Sequence, residues 1–62
     1  MRVRVNGEER EVPQGTTVAE LVPPARGVAV AVDGEVLPRS DWAATAIREG
    51  QALEVLRAVQ GG

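Results

Sequence analysis

Gly27-Val28-Ala29-Val30-Ala31-Val32-Asp33-Gly34-Glu35-Val36-Leu37-Pro38 is the stretch from which the fold can be read. Val28 to Val32 is an unbroken apolar run of strand length, rich in β-branched side chains, and it reads as a strand covered on both faces and central in a sheet. Asp33-Gly34 suits the tight turn of a hairpin, which needs positive φ at both central residues. Glu35-Val36-Leu37 then returns as a short strand. Pro38 ends it, because proline has no amide to pair.

Working back from this hairpin, Pro23-Pro24 excludes helix, since the second ring disfavours the helical region for its predecessor and removes a donor. Before it, Thr17-Val18-Ala19-Glu20 matches the capping box, in which the Thr hydroxyl and Glu carboxylate satisfy amides at a helix start. A helix of about two turns is expected there, with Val18 and Leu21 inward. The chain opens with Met1, Val3 and Val5 alternating with Arg2 and Arg4, the period-two pattern of a half-buried strand. Asn6-Gly7 is a second hairpin turn. Its return strand, Glu8 to Val12, is mostly charged and stops at Pro13, as an exposed edge strand does.

Working forward, Ser40 or Asp41 is expected to cap a short helical turn that carries Trp42, Ala46 and Ile47 inward, before Gly50 breaks the chain direction. A last strand is expected from Ala52 to Ala58. The order hairpin, helix, hairpin, strand suits an α+β domain, a mixed four- to five-stranded sheet packed on one short helix. The last strand should lie parallel to the first, since a long crossover containing a helix joins parallel neighbours. The expected organisation is one domain over residues 1–58 and a flexible Gly-Gly tail over 59–62.

Composition narrows the function. The chain has 62 residues, a formal charge of −2 and neither Cys nor His. That removes disulfides and almost every zinc, iron–sulfur or haem arrangement, so no metal is expected. Without a basic run there is no footprint for nucleic acid. No apolar run approaches a membrane span and no signal peptide opens the chain, so a cytoplasmic address is expected. All seven basic residues are Arg, which leaves no ε-amine for a Schiff base or for receiving an isopeptide bond. Val supplies eleven residues and Trp42 is the only aromatic, consistent with a β-branched core anchored by one large side chain.

The usual nucleophiles and acid–base groups are equally scarce. Ser40 is the only Ser and has no His or Lys to activate it. Glu8, Glu9 and Glu11 form a carboxylate cluster on the expected edge strand, where a solvated face explains them. The isolated glycines match no phosphate-binding spacing. The chain therefore reads as a carrier rather than an enzyme. What remains is Ala58-Val59-Gln60-Gly61-Gly62, directly after a strand. A terminal Gly-Gly arises by chance in roughly one chain in two hundred, and a flexible end is the bland explanation. Functionally, two bare residues can thread a narrow channel, and Val59 to Gly62 extends about 13 Å. A free α-carboxylate on Gly62 is anionic at neutral pH and a poor acyl donor, so it needs activation. Conversion to an acyl-adenylate supplies a leaving group that a sulfur donor can displace, giving a thiocarboxylate. The chain has no ATP site of its own, so a partner must do the activating.

Taken together, these residues resemble a known family. The opening strand ending in Asn6-Gly7-Glu8, the Thr17-led helix with Leu21, the Val28 to Val32 strand, Val36-Leu37-Pro38-Arg39-Ser40 with Trp42, Arg48-Glu49-Gly50 before Leu53-Glu54-Val55, and the Val59-Gln60-Gly61-Gly62 ending resemble the sulfur carrier of thiamine biosynthesis (ThiS). That family is related to ubiquitin and to the small subunit of molybdopterin synthase. The resemblance implies a ubiquitin-like β-grasp fold. It implies that a ubiquitin-activating-type (ThiF-like) adenylyltransferase uses ATP and Mg²⁺ to adenylate Gly62, and that a sulfur donor then gives a thiocarboxylate there. It makes a thiazole synthase (ThiG-like) the acceptor, with Gly61, Gln60 and Val59 threading into the partner. Arg57 is a candidate docking contact on the last strand. The family often has Asn where Asp33 stands and Asp where Gln51 stands, and the helix here is cut short at Pro23-Pro24. Three alternatives stay open: a sulfur carrier for another pathway (molybdopterin, tRNA thiolation, cysteine synthesis), a ubiquitin-like modifier of target lysines, and an interaction module with an incidental Gly-Gly end.

Overall fold

The computed structural model describes residues 1–23 and 25–57. Five strands form one mixed sheet: β1 (Arg2–Val5), β2 (Glu8–Glu11), β3 (Val28–Val32), β4 (Glu35–Leu37) and β5 (Ala52–Arg57). Their order across the sheet is β2-β1-β5-β3-β4. A short helix, α1 (Val18–Leu21), and a 3-10 helix over Arg39–Ala44 complete the elements. The last strand lies parallel to the first, with Arg4 opposite Ala52 and Val5 opposite Leu53, as the long crossover requires.

Both hairpins turn where the dipeptides place them. Asn6 and Gly7 have φ of 50° and 82°, and Asp33 and Gly34 have φ of 49° and 86°, so each turn takes positive φ at both central residues. Such turns match the right-handed twist of the flanking strands. In β1, Arg2 and Arg4 are exposed while Val3 and Val5 are buried. All four residues of β2 are exposed. The strand stops at Glu11, one residue before the expected Val12, whose side chain turns into the core instead.

Helix α1 is one turn of four residues rather than two turns. Its start follows the capping box: Thr17 Oγ1 accepts from the Glu20 amide, and the Glu20 carboxylate accepts from the Thr17 amide at 2.8 Å. Its end is set by Pro23, which forces Val22 out of the helical region, to φ −124° and ψ 91°. Val18 is buried and Leu21 is half-buried against the core. Pro24 lies outside the described residues.

The second helical segment forms as a short turn but differs from expectation at its cap and at Ala46. It is a 3-10 helix, its N-cap is Pro38 with no side-chain capping bond, and Ser40 and Asp41 lie inside its first turn. Pro38 carbonyl oxygen accepts directly from the Asp41 amide at 2.9 Å, so the tighter turn closes without a side-chain cap. Trp42 and Ile47 point inward, but Ala46 is exposed. Thr17 and Ala46 form an isolated bridge, and Val18 N–H donates to Thr45 O while Ile47 N–H donates to Thr16 O. That backbone pairing braces α1 against the segment following the 3-10 helix.

The core comprises Val3, Val5, Val12, Val18, Val22, Val30, Trp42, Ile47 and Leu53 on the helical side of the sheet. Trp42, at 1% exposed, is its largest member, and its indole Nε1 donates to Leu37 O at 2.9 Å. The opposite sheet face has no covering layer among the described residues. Strand β3 is internal but not central, since the middle place belongs to β5. The second face of β3 is covered only in part: on the open side Ala31 is buried, but Ala29 is exposed. Alanine has so little apolar surface that its exposure costs little.

Candidate functional site

The strand that leads into Ala58-Val59-Gln60-Gly61-Gly62 is held from both flanks. On one side, β3 pairs with β5 along its length, from Val32 opposite Leu53 to Val28 opposite Arg57. On the other, Arg4 N–H donates to Gln51 O and Asn6 N–H donates to Leu53 O, both at 2.9 Å. There β1 ends. Beyond it the Asn6 side chain takes over the ladder, its Oδ1 accepting from Val55 N–H at 2.8 Å and its Nδ2 donating to Val55 O at 3.5 Å. A primary amide is the side chain that offers one acceptor and one donor in this way. Leu53 is buried and Val55 half-buried, so the strand is also anchored by its core-facing residues.

Residues 58–62 lie outside the described residues, and with them Ala58 and the candidate site residues Val59, Gln60, Gly61 and Gly62. Arg57 is the last described residue and is exposed. It borders a groove shared with Arg10 of β2.

The other chemistry-bearing side chains fall where a scaffold would put them. Ser40 is exposed within the 3-10 helix. Glu9 and Glu11 face Arg2 across the first hairpin at 3.9 and 3.5 Å, and Glu11 also meets the Met1 amine at 3.4 Å. The two Arg2 pairs are solvent-exposed and worth little stability, and the charges guard the edge strand against pairing with another chain. Trp42 is a core anchor; the Arg39 guanidinium sits 5.9 Å from its ring centroid. Among the described residues no polar or charged residue is buried, no group of three or more His, Cys, Asp or Glu could hold a metal ion, and no helix is long and apolar enough to cross a membrane.

Two features escaped the sequence reading. One is the tertiary part played by Asn6, which local pattern assigns only to a turn. The other is a pair of large apolar side chains left bare on the open face of the sheet, Val36 at 72% and Leu56 at 57% exposed. In register, Val36 lies opposite Ala31 and Leu56 opposite Ala29, so both share the open face with the alanines of β3. Period-two alternation could have found it, had the register between the three strands been known.

Asp33 and Gln51 touch one another. Gln51 Nε2 donates to Asp33 Oδ2 at 3.3 Å, and Asp33 Oδ1 accepts from Ala52 N–H at 3.0 Å. Gln51 Oε1 accepts from Arg48 N–H at 2.7 Å.

Comparison with known proteins agrees with the geometry. The family model of the ThiS family matches residues 3–62. The crystal structure of a thiamine biosynthesis protein (ThiS) from Geobacter metallireducens is 36% identical and superposes with a TM-score of 0.83, covering all of both chains. A solution structure of a thiamine biosynthesis protein from the same organism is 35% identical with a TM-score of 0.74, covering all of this chain and 88% of that one. A protein named thiazole synthase from Paramagnetospirillum magneticum is 36% identical over 66 residues, a match that takes in the whole chain but only 20% of that relative's length. With a ubiquitin-like β-grasp sheet, a strand anchored ahead of a Gly-Gly ending and a family match across almost its whole length, this chain belongs to the ThiS family.

Proposed function

We propose that this chain is a sulfur carrier serving thiazole formation in thiamine biosynthesis, with the Gly62 carboxylate as its working group. The observation that carries the reading is the family match running through to Gly62, behind a central strand gripped on both flanks. Such a base gives residues 58–62 a rigid point of departure.

In the proposed cycle a Gly62 carboxylate oxygen attacks the α-phosphorus of ATP, bound with Mg²⁺ by a ubiquitin-activating-type adenylyltransferase. Pyrophosphate leaves and an acyl-adenylate forms. Sulfur delivered at the hydrosulfide level then attacks the acyl carbon, AMP leaves, and a thiocarboxylate remains on Gly62. A thiazole synthase takes the sulfur. The chain itself contributes presentation rather than catalysis: Val59, Gln60 and Gly61 are the segment that enters the partner. The exposed Val36 and Leu56 on the open face offer apolar area for docking, since exposed apolar surface marks interaction sites. Support for the thiazole pathway over other sulfur-transfer pathways comes from the thiamine-biosynthesis structures and from the thiazole synthase that contains a stretch similar to this chain.

Incubation with the adenylyltransferase, ATP, Mg²⁺ and a sulfide source should add the oxygen-to-sulfur mass increment, localised to Gly62 by fragmentation. A variant lacking Gly62 should remain unmodified. An unchanged mass with a partner proven active on another carrier would overturn the reading.

A further inference from the structure

On the helical side of the sheet, beside the end of β5, the described residues enclose a groove of about 230 Å³. Val5, Val28, Val55 and Leu21 give it apolar walls, and Arg10 and Arg57 line it as well. None of its lining residues is acidic. Two cations with no acid between them reverse the sign of a chain whose formal charge is −2.

The strand register explains how that reversal arises. On β2, Arg10 lies opposite buried Val3, so its side chain leaves the sheet on the helical side, while neighbouring Glu9 and Glu11 project to the open side and meet Arg2 there. Glu8 shares the side of Arg10 but does not line the groove. On β5, Leu53, Val55 and Arg57 alternate onto the helical side likewise. Among the described residues neither Arg10 nor Arg57 has an acidic group within ion-pairing distance.

We propose that this groove is a docking site for an acidic segment of the enzyme that activates Gly62, with two carboxylates meeting Arg10 and Arg57 and an aliphatic side chain between them on the valine floor. This inference rests on the carrier reading and adds a contact surface to it. Reach supports the choice of partner. Gly62 is five residues beyond Arg57 and can lie no more than about 18 Å from it even when fully extended. An enzyme whose nucleotide pocket holds Gly62 therefore closes over the surface around Arg57. Charge supports the chemistry, because arginine forks pair carboxylates bidentately.

The test measures pyrophosphate release by the adenylyltransferase against carrier concentration, at low and high salt, for wild type, Arg10→Gln, Arg57→Gln, the double variant and Arg48→Gln. Arg48 is exposed and outside the groove. Each groove variant should raise KM several-fold and the double variant about ten- to hundredfold, with kcat within about twofold, because the contacts are equally present in ground and transition states. The double variant should also lose most of the salt dependence of KM, and Arg48→Gln should match wild type. Arg57→Lys should retain part of the affinity, as a point charge in place of a fork. If wild type is adenylated and the double variant shows the same KM and the same salt dependence, the groove proposal falls and the carrier reading stands. If Arg48→Gln raises KM as much as the double variant does, general charge attraction replaces the groove. If wild type itself is not adenylated by a competent enzyme, both fall.

Discussion

Replacing Asn6 tests whether one side chain extends the central ladder of the sheet. Its amide makes two contacts to the Val55 backbone, at 2.8 and 3.5 Å, and its backbone sits at φ 50°. A net hydrogen bond is worth about 0.5–1.5 kcal/mol, and the longer contact is at the limit of useful geometry, so their joint loss costs about 1–1.5 kcal/mol. Asn6→Gly removes the contacts while leaving positive φ easy, and should cost about that much. Asn6→Ala adds the left-handed penalty of about 1 kcal/mol, for a total of about 2–2.5. Asn6→Asp keeps the acceptor for Val55 N–H but sets an oxygen against Val55 O, and should fall between wild type and Gly. A domain of this size has a total stability of about 3–9 kcal/mol. Its unfolding entropy makes each kcal/mol about 8 °C in Tm. Thermal and urea unfolding can be followed by the fluorescence of Trp42, the sole aromatic and 1% exposed. Hydrogen exchange of the Val55 amide should accelerate in parallel. Asn6→Gly within about 0.3 kcal/mol of wild type, with Val55 protection unchanged, would refute the ladder-extension role, since an exposed turn residue is otherwise close to neutral.

Other consequences follow from the core and from the paired turn residues. Trp42→Ala should cost about 3–5 kcal/mol and leave much of the population unfolded by circular dichroism at 25 °C, because it empties the largest core position in a domain with little reserve. Trp42→Phe retains most of the packing but loses the bond to Leu37 O, and should cost about 1–2 kcal/mol, read as a lower urea midpoint. Asp33→Asn alone should cost about 0.5–1 kcal/mol by placing an amide donor against Gln51 Nε2, and Asp33→Asn with Gln51→Asp should recover most of it. Additive effects in that double-mutant cycle would show that the two positions are independent.

Much of this protein was legible in local pattern because its instructions are short-range. Asn6-Gly7 and Asp33-Gly34 specify their turns through φ alone. Thr17 and Glu20 close their box within one turn, and Pro38 marks the end of β4 in both readings. The expectation of two turns for α1 failed over Val22, where the steric reach of Pro23 backwards along the chain outweighed the helical pattern. The 3-10 helix was misread because Ser40 and Asp41 have capping side chains, but Pro38 O had already closed the turn. For the candidate site, elimination brings Gly62 forward as a proposal, since composition removes Cys, His and Lys and leaves a single Ser.

Residue order by itself determined the hairpins, the capped helix and the parallel first and last strands, all of which depend on backbone torsion, alternation or residue type over a few positions. Only the tertiary structure decided that β5 rather than β3 is central, that Asn6 completes its ladder, that Asp33 and Gln51 are bonded to each other, and that Arg10 and Arg57 share a groove. The physical reason is register: a slip of one residue moves every side chain of a strand to the opposite face. Partners far apart along the chain are therefore defined only once the strands have paired.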